Sequence, residues 1–216
     1  MDETARQTAL MTALTTEHFV LQTAASSTIS EASARSSLYV FSLSSSLVAM
    51  GFTAQLRDVF IPFTASVLPA IFLLGIFTVV RLVDTSLEYM QYLAGIARIR
   101  SYYRSLGPEA AAYFAAESGR WPESRSVPAL QLGPVFAHFG TTASMIAVIN
   151  NVVAGAGITL LARGLLDRKD AWLGLPIGIA SAVLLTLAFV VYQRWRFETL
   201  DGTEASPRRP TEPSAR

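Results

Sequence analysis

Residues 36–80 read SSLYVFSLSSSLVAMGFTAQLRDVFIPFTASVLPAIFLLGIFTVV, and this stretch decides the fold class. It contains two runs without a charged side chain, 36–56 (21 residues) and 59–80 (22 residues), interrupted only by Arg57 and Asp58. A bilayer core of ~30 Å takes about 20 helical residues at ~1.5 Å each. Each run therefore has the length of one membrane crossing.

Two more charge-free windows follow, 126–162 (37 residues) and 171–193 (23 residues). Pro128, Gly133 and Pro134 occupy the first portion of the longer one, which places its span at 137–162. Four such windows in 216 residues leave little amphipathic surface for a soluble fold. Composition agrees: 51% of residues are apolar and 15% charged, and mean hydropathy is +0.40, against ~25% charged residues in an ordinary soluble domain. The sequence thus predicts an all-α polytopic membrane protein with transmembrane helices at 36–56, 59–83, 137–162 and 171–193. The segment before Ser36 carries Asp2, Glu3, Glu17 and Glu31, which fits neither a cleavable signal peptide nor an acid-poor transit peptide.

Orientation follows from the basic residues. Four spans put both termini and the 84–136 segment on one side, which with Arg81 at the end of the second span holds thirteen Arg; the other side holds Arg57, Arg163, Arg168 and Lys169. The positive-inside rule then makes both termini cytoplasmic. Trp172 and Trp195 flank the fourth span as interfacial anchors.

Outside the bilayer the sequence predicts helix. Residues 1–35 form a cytoplasmic helix continuous with the first span, because no Pro or Gly occurs before Gly51. Thr4 and Gln7 have capping-box spacing. Leu14, His18, Leu21, Ala25, Thr28 and Ala32 recur at steps of four and three, a heptad-like seam. The many Ser and Thr weaken this helix on propensity, since their hydroxyls compete for backbone hydrogen bonds. The second span also overruns the membrane, ending at Gly107-Pro108, and Pro69 reads as a first-turn residue or a kink. A short helix over 108–118 and a loop over 119–134 complete the 84–136 extension. The tail 201–216, with Pro207, Pro210 and Pro213, reads as disordered. Together these segments make a helical stalk.

Inside the spans, polar and small residues are the candidate functional positions. Asn150 and Asn151 fall mid-span, where an unpaired amide is costly, and Asn151 shares a face with Ser144 and Gly155. Ser42, Ser45, Ala49 and Thr53 share a face of the first span. These residues either line a wet path or join helices. Gly174, Gly178 and Ala182 form a small-residue ridge. With Gly155, this ridge is expected to let another backbone approach closely and to help join protomers. Arg98, Arg100 and Arg104 past the second span, with Arg194 and Arg196 past the fourth, are lipid-headgroup candidates.

Catalytic material is scarce. There is no Cys, and His18 and His138 are far apart with no metal-ligand spacing around them. No phosphate loop, Ser–His–Asp set or zinc-helix motif is present, so no enzyme, cofactor or nucleic-acid partner is expected. The stretches TTEHFVLQTAASSTISEASARSSLYV (15–40) and RIRSYYRSLGPEAAAYF (98–114) resemble small four-span membrane proteins of high-GC bacteria that carry no assigned activity. The resemblance implies a bacterial inner membrane. The sequence favours a homo-oligomeric channel or pore-like assembly. Its alternative is a membrane-anchored interaction or regulatory protein that recruits a cytoplasmic partner through the stalk.

Overall fold

The computed structural model describes residues 2–114, 141–165 and 171–204, and every element among them is helical. The elements are α1 (Glu3–Thr53), α2 (Arg57–Arg104), α3 (Pro108–Tyr113), α4 (Thr142–Leu165) and α5 (Gly174–Glu204), the last preceded by the 3-10 turn Ala171–Leu173. Four of these helices are long and apolar enough to cross a membrane.

α1 is one uninterrupted helix of 51 residues, about 76 Å at ~1.5 Å per residue. Its hydroxyls do not break it, because they turn back onto the preceding turn. Thr8, Thr12, Thr15, Thr16 and Thr23 each donate to the carbonyl four residues earlier. The helix is not started by the Thr4–Gln7 box. Asp2 is the N-cap residue, and Thr4 lies inside the first turn with its hydroxyl on the Asp2 carboxylate, 2.6 Å away.

The seam is where the heptad pattern places it. Leu14, His18, Leu21 and Ala32 are half-buried, and Ala25 and Thr28 are buried. The same alternation continues into the apolar window through Tyr39, Leu43, Ser46, Met50 and Thr53. A 3.5-residue repeat keeps one stripe facing one partner along the whole helix, and that partner is α2. Leu21 packs over Gly95, where an added Cβ would lie 3.0 Å from its Cδ1.

α2 begins at Arg57, so Pro62 and Pro69 are both interior to it and Pro69 marks no first turn. It runs on past the apolar window to Arg104, and Gly107-Pro108 opens α3. α3 is described only to Tyr113, with Phe114 capping it. The loop at 119–134 and His138 lie outside the described residues. α5 continues to Glu204, so the polar tail expected from 201 begins as helix; residues 205–216 lie outside the described residues.

The long helices form a row. α1 packs on α2, α2 on α4 and α4 on α5, while α1 and α5 do not meet. Tyr39, Ile71, Val79, Leu82, Val83, Ala143, Ile146 and Ala147 form the core between them. A row buries little: only 11% of the apolar windows of α1 and α5 is covered, and 28% in α2 and α4. Phe41, Phe52 and Phe77 stand more than 70% exposed. An apolar surface this continuous is destabilising in water and suits hydrocarbon solvent.

Candidate functional site

Asn150 is a three-helix junction. It is 2% exposed, and its Oδ1 accepts a hydrogen bond from the Tyr39 hydroxyl of α1 at 3.1 Å. Its Nδ2 donates to the Phe72 carbonyl of α2 at 3.3 Å. The amide fits because residue 75 is glycine. A Cβ there would lie 2.0 Å from Asn150 Oδ1. Both ends of a costly buried amide are therefore satisfied within one chain.

Asn151 serves the next interface. Its Nδ2 donates to Thr186 Oγ1 of α5 at 3.2 Å, and that hydroxyl donates to the Ala182 carbonyl. One end of the same seam holds Thr141, Ser144 and Gln193. Ser144 Oγ donates to Gln193 Oε1, and Gln193 Nε2 to Thr141 Oγ1, each at 3.3 Å. Further along, Gly155 and Gly178 bring the backbones together. A Cβ on Gly178 would lie 1.9 Å from Thr159 Oγ1 and 2.4 Å from the Gly155 carbonyl; one on Gly174 would meet Arg163. Ala182 closes on Gly155 in the same way.

Ser144, Asn151 and Gly155 do share a face, and that face meets α5. The Gly174–Gly178–Ala182 ridge, expected to help join protomers, is instead occupied by α4 of its own chain. The hydroxyl face of the first span divides differently from its four-residue pattern. Ser42 and Thr53 are half-buried, with Thr53 Oγ1 on the Ala49 and Met50 carbonyls, while Ser45 is exposed. The 3.5-residue seam turns Ser46 inward in its place, bonded to the Ser42 carbonyl.

A charged cluster ties three helices together beside the apolar windows. Glu31 of α1 accepts from Arg35 at 2.8 Å and from Arg81 of α2 at 3.0 Å; Arg81 also reaches Glu88 at 3.0 Å. Arg196 of α5 pairs with Asp84 of α2. Arg81 and then Arg35, hydrogen-bonded to the Glu31 carboxyl, hold it below the usual carboxylate range. The Asp84 carboxylate raises Arg196. Arg196 is thus engaged within the chain, while Arg194 stands exposed. Arg98, Arg100 and Arg104 lie about 26–35 Å along α2 from Arg81 at ~1.5 Å per residue. That is the far end of the α1–α2 pair, away from the apolar windows.

Sequence reasoning missed Tyr39, Thr186 and Gln193. Gln193 carried a signal, as the one carboxamide of the 171–193 window. Among the described residues no three His, Asp or Glu side chains gather as a metal site.

The chain matches no family model, no curated protein and no solved structure.

Proposed function

We propose that this chain is a non-enzymatic integral membrane protein whose four spans anchor a helical stalk that engages a cytoplasmic protein partner. One observation carries the reading. α1 and α2 leave the apolar windows as unbroken helices and stay paired, residues 81–104 alone measuring about 36 Å at ~1.5 Å per residue. The Glu31–Arg81–Glu88 pairs join α1 to α2 at the base of that stalk, and Asp84–Arg196 braces it against α5. The basic-residue asymmetry supports a cytoplasmic position for both termini, and the resemblance supports a bacterial inner membrane. The partner reading gains over the pore because both mid-span amides are occupied by helix–helix contacts.

A photo-crosslinker at Tyr113, exposed beyond the stalk, should capture a defined soluble protein in cells, and one at the equally outward Phe41 should not. Self-adducts alone at both positions would overturn the reading. Orientation is tested in the same cells. Cys at Gln55, between α1 and α2, should react with an impermeant reagent added outside, and Cys at Ser101 should not.

One observation favours the homo-oligomeric channel as a second reading. Ser37, Ser44 and Gly51 stand seven residues apart on the outward face of α1, and Ser45 lies beside them, all exposed. A small hydroxyl stripe of this spacing suits close contact between copies, and a pore between protomers would be lined there. Ser44→Cys should then form a disulfide-linked dimer, and liposomes bearing the protein should pass ions.

A further inference from the structure

We infer that α1 pairs in parallel with α1 of a second copy of this chain, along an uncharged seam that runs from Thr16 to Gly51. This pairing rests on the copy-to-copy contact of the homo-oligomeric reading, carries that contact beyond the apolar window and needs no pore.

Thr16, Thr23, Ser30, Ser37, Ser44 and Gly51 stand seven residues apart, and Val20, Ser27, Ala34, Phe41 and Val48 fall between them at alternating steps of four and three. All are exposed, on the side of α1 opposite its seam with α2, and none is charged. A strict seven-residue period drifts by ~20° per heptad on a straight helix. The α1–α2 pair follows the same period, so winding about α2 keeps the outward seam on one side. Thr16 and Thr23 donate to their own backbone, at the Thr12 and Phe19 carbonyls. Small side chains satisfied in this way let a second backbone come close. Gly51 agrees. Gly75, Gly155, Gly174 and Gly178 each face an atom that a Cβ would meet, whereas Gly51 has nothing within 4 Å. Glycine weakens a helix, and no contact inside one copy accounts for it there.

The extent of the seam names its occupant. Residues 16–34 lie outside the apolar window 36–56, and residues 37–51 lie inside it. Lipid covers only the second part and a soluble protein only the first. One occupant of both is a helix that itself leaves such a window unbroken. Among the described residues α1 and α2 do so at this length. Beyond its own window α2 exposes Gln91, Arg98 and Ser101, which make no apolar seam. Copies inserted in the same sense then set α1 against α1 in parallel. In that register Glu17 and Glu31, beside the seam, face Thr12 and Ser26 of the second copy, so no like charges meet. The area suffices. Phe19, Phe41 and Phe52, in or beside the seam, are 61%, 72% and 79% exposed. At ~150–250 Å² per aromatic side chain, the rings of two copies offer roughly 600–1,100 Å². Val20, Leu38, Leu47 and Val48 on the same side are more than half exposed. With them the pair reaches the ~1,200 Å² at which specific interfaces begin.

The test uses the full chain, which has no Cys of its own, in liposomes under mild oxidation. Thr23→Cys and Ser44→Cys should each form a disulfide-linked dimer. Gln22→Cys, also exposed but one residue off the seam, should not. Ser30→Glu sets two like charges against each other and should lower the dimer fraction about tenfold or more, as counted by single-molecule photobleaching. Ile29→Glu, exposed beside it, should leave that fraction unchanged. Should either Glu variant lose its helical signal, the Cys variants alone decide. Linkage at Ser44→Cys without linkage at Thr23→Cys would overturn the seam and keep a homo-oligomer that touches only inside the window. Linkage at neither position, linkage at Gln22→Cys as readily as at Thr23→Cys, or a dimer indifferent to Ser30→Glu would overturn the pairing itself. Ion flux through the same liposomes decides the channel reading separately.

Discussion

The carboxamide of Asn150 fills the space that a side chain at Gly75 would need, with its Oδ1 2.0 Å from where that Cβ would sit. Glycine here serves close approach and not backbone freedom, since the position is helical. Gly75→Ala should therefore expel the amide from its bonds to Tyr39 and Phe72, whereas Asn150→Ala vacates the same space. Each change alone should destabilise the protein, Asn150→Ala by about 0.6–2 kcal/mol on membrane hydrogen-bond scales. Combined, they should cost less than their sum, with a coupling of roughly 0.5–3 kcal/mol. Thermal unfolding of the four variants in one detergent measures it, and strict additivity would show that the two positions do not share this space.

A Cβ at Gly178 would sit 2.4 Å from the Gly155 carbonyl, a backbone atom that cannot swing aside. Gly178→Ala should then lower stability by about 1–3 kcal/mol, the usual cost of overpacking. The loss should not depend on protein concentration, because the clash is within one chain. A melting point that falls only on dilution would assign the ridge to a contact between protomers.

The four long apolar helices and the α1 seam are legible because they are one-dimensional properties. A charge-free run needs only its length, and the Leu14–Ala32 seam only its period. The seam's continuation through Tyr39, Leu43 and Ser46 is hidden, because both faces of the first span mix hydroxyl and apolar residues alike. Nothing in the local pattern then separates Ser46, which turns inward, from Ser45, which turns outward. The two amides are visible as polar groups in the middle of a charge-free window. Their partners are not, since Tyr39, Phe72 and Thr186 lie 111, 78 and 35 residues away along the chain.

Acid should loosen the pairing of α1 and α2 at Glu31 and Arg81. Arg81 and Arg35 hold the Glu31 carboxyl below its ordinary value of 4.5 in the folded state. A folded pKa below the unfolded one stabilises the fold at pH values above the unfolded pKa. That contribution is lost as pH falls through the folded value. Wild-type protein should therefore lose this increment progressively from about pH 5.5, where a free carboxyl begins to protonate, down through the lowered folded value. Glu31→Gln should be less stable at neutral pH and should show a flatter acid limb. The effect should be small and should shrink with added salt, since these side chains are partly exposed. Identical acid limbs for the two proteins would remove Glu31 from the account.

Asn151 decides between an interface and a pore. Its Nδ2 is 3.2 Å from Thr186 Oγ1, and the residue is 7% exposed. If that contact is what the amide is for, Asn151→Leu should cost about 0.6–2 kcal/mol, the range for interhelical hydrogen bonds in membranes. Thr186→Val should cost a similar amount, because it removes the other partner. The double substitution should then cost less than the sum, leaving no unpaired polar atom between α4 and α5. A hydrated constriction predicts another outcome. Leucine at 151 would favour dewetting, so ion flux through liposomes would fall while stability and assembly were kept. Reduced flux from a fully stable Asn151→Leu protein would therefore reinstate the pore, and a stability loss coupled to Thr186 would assign the amide to helix packing.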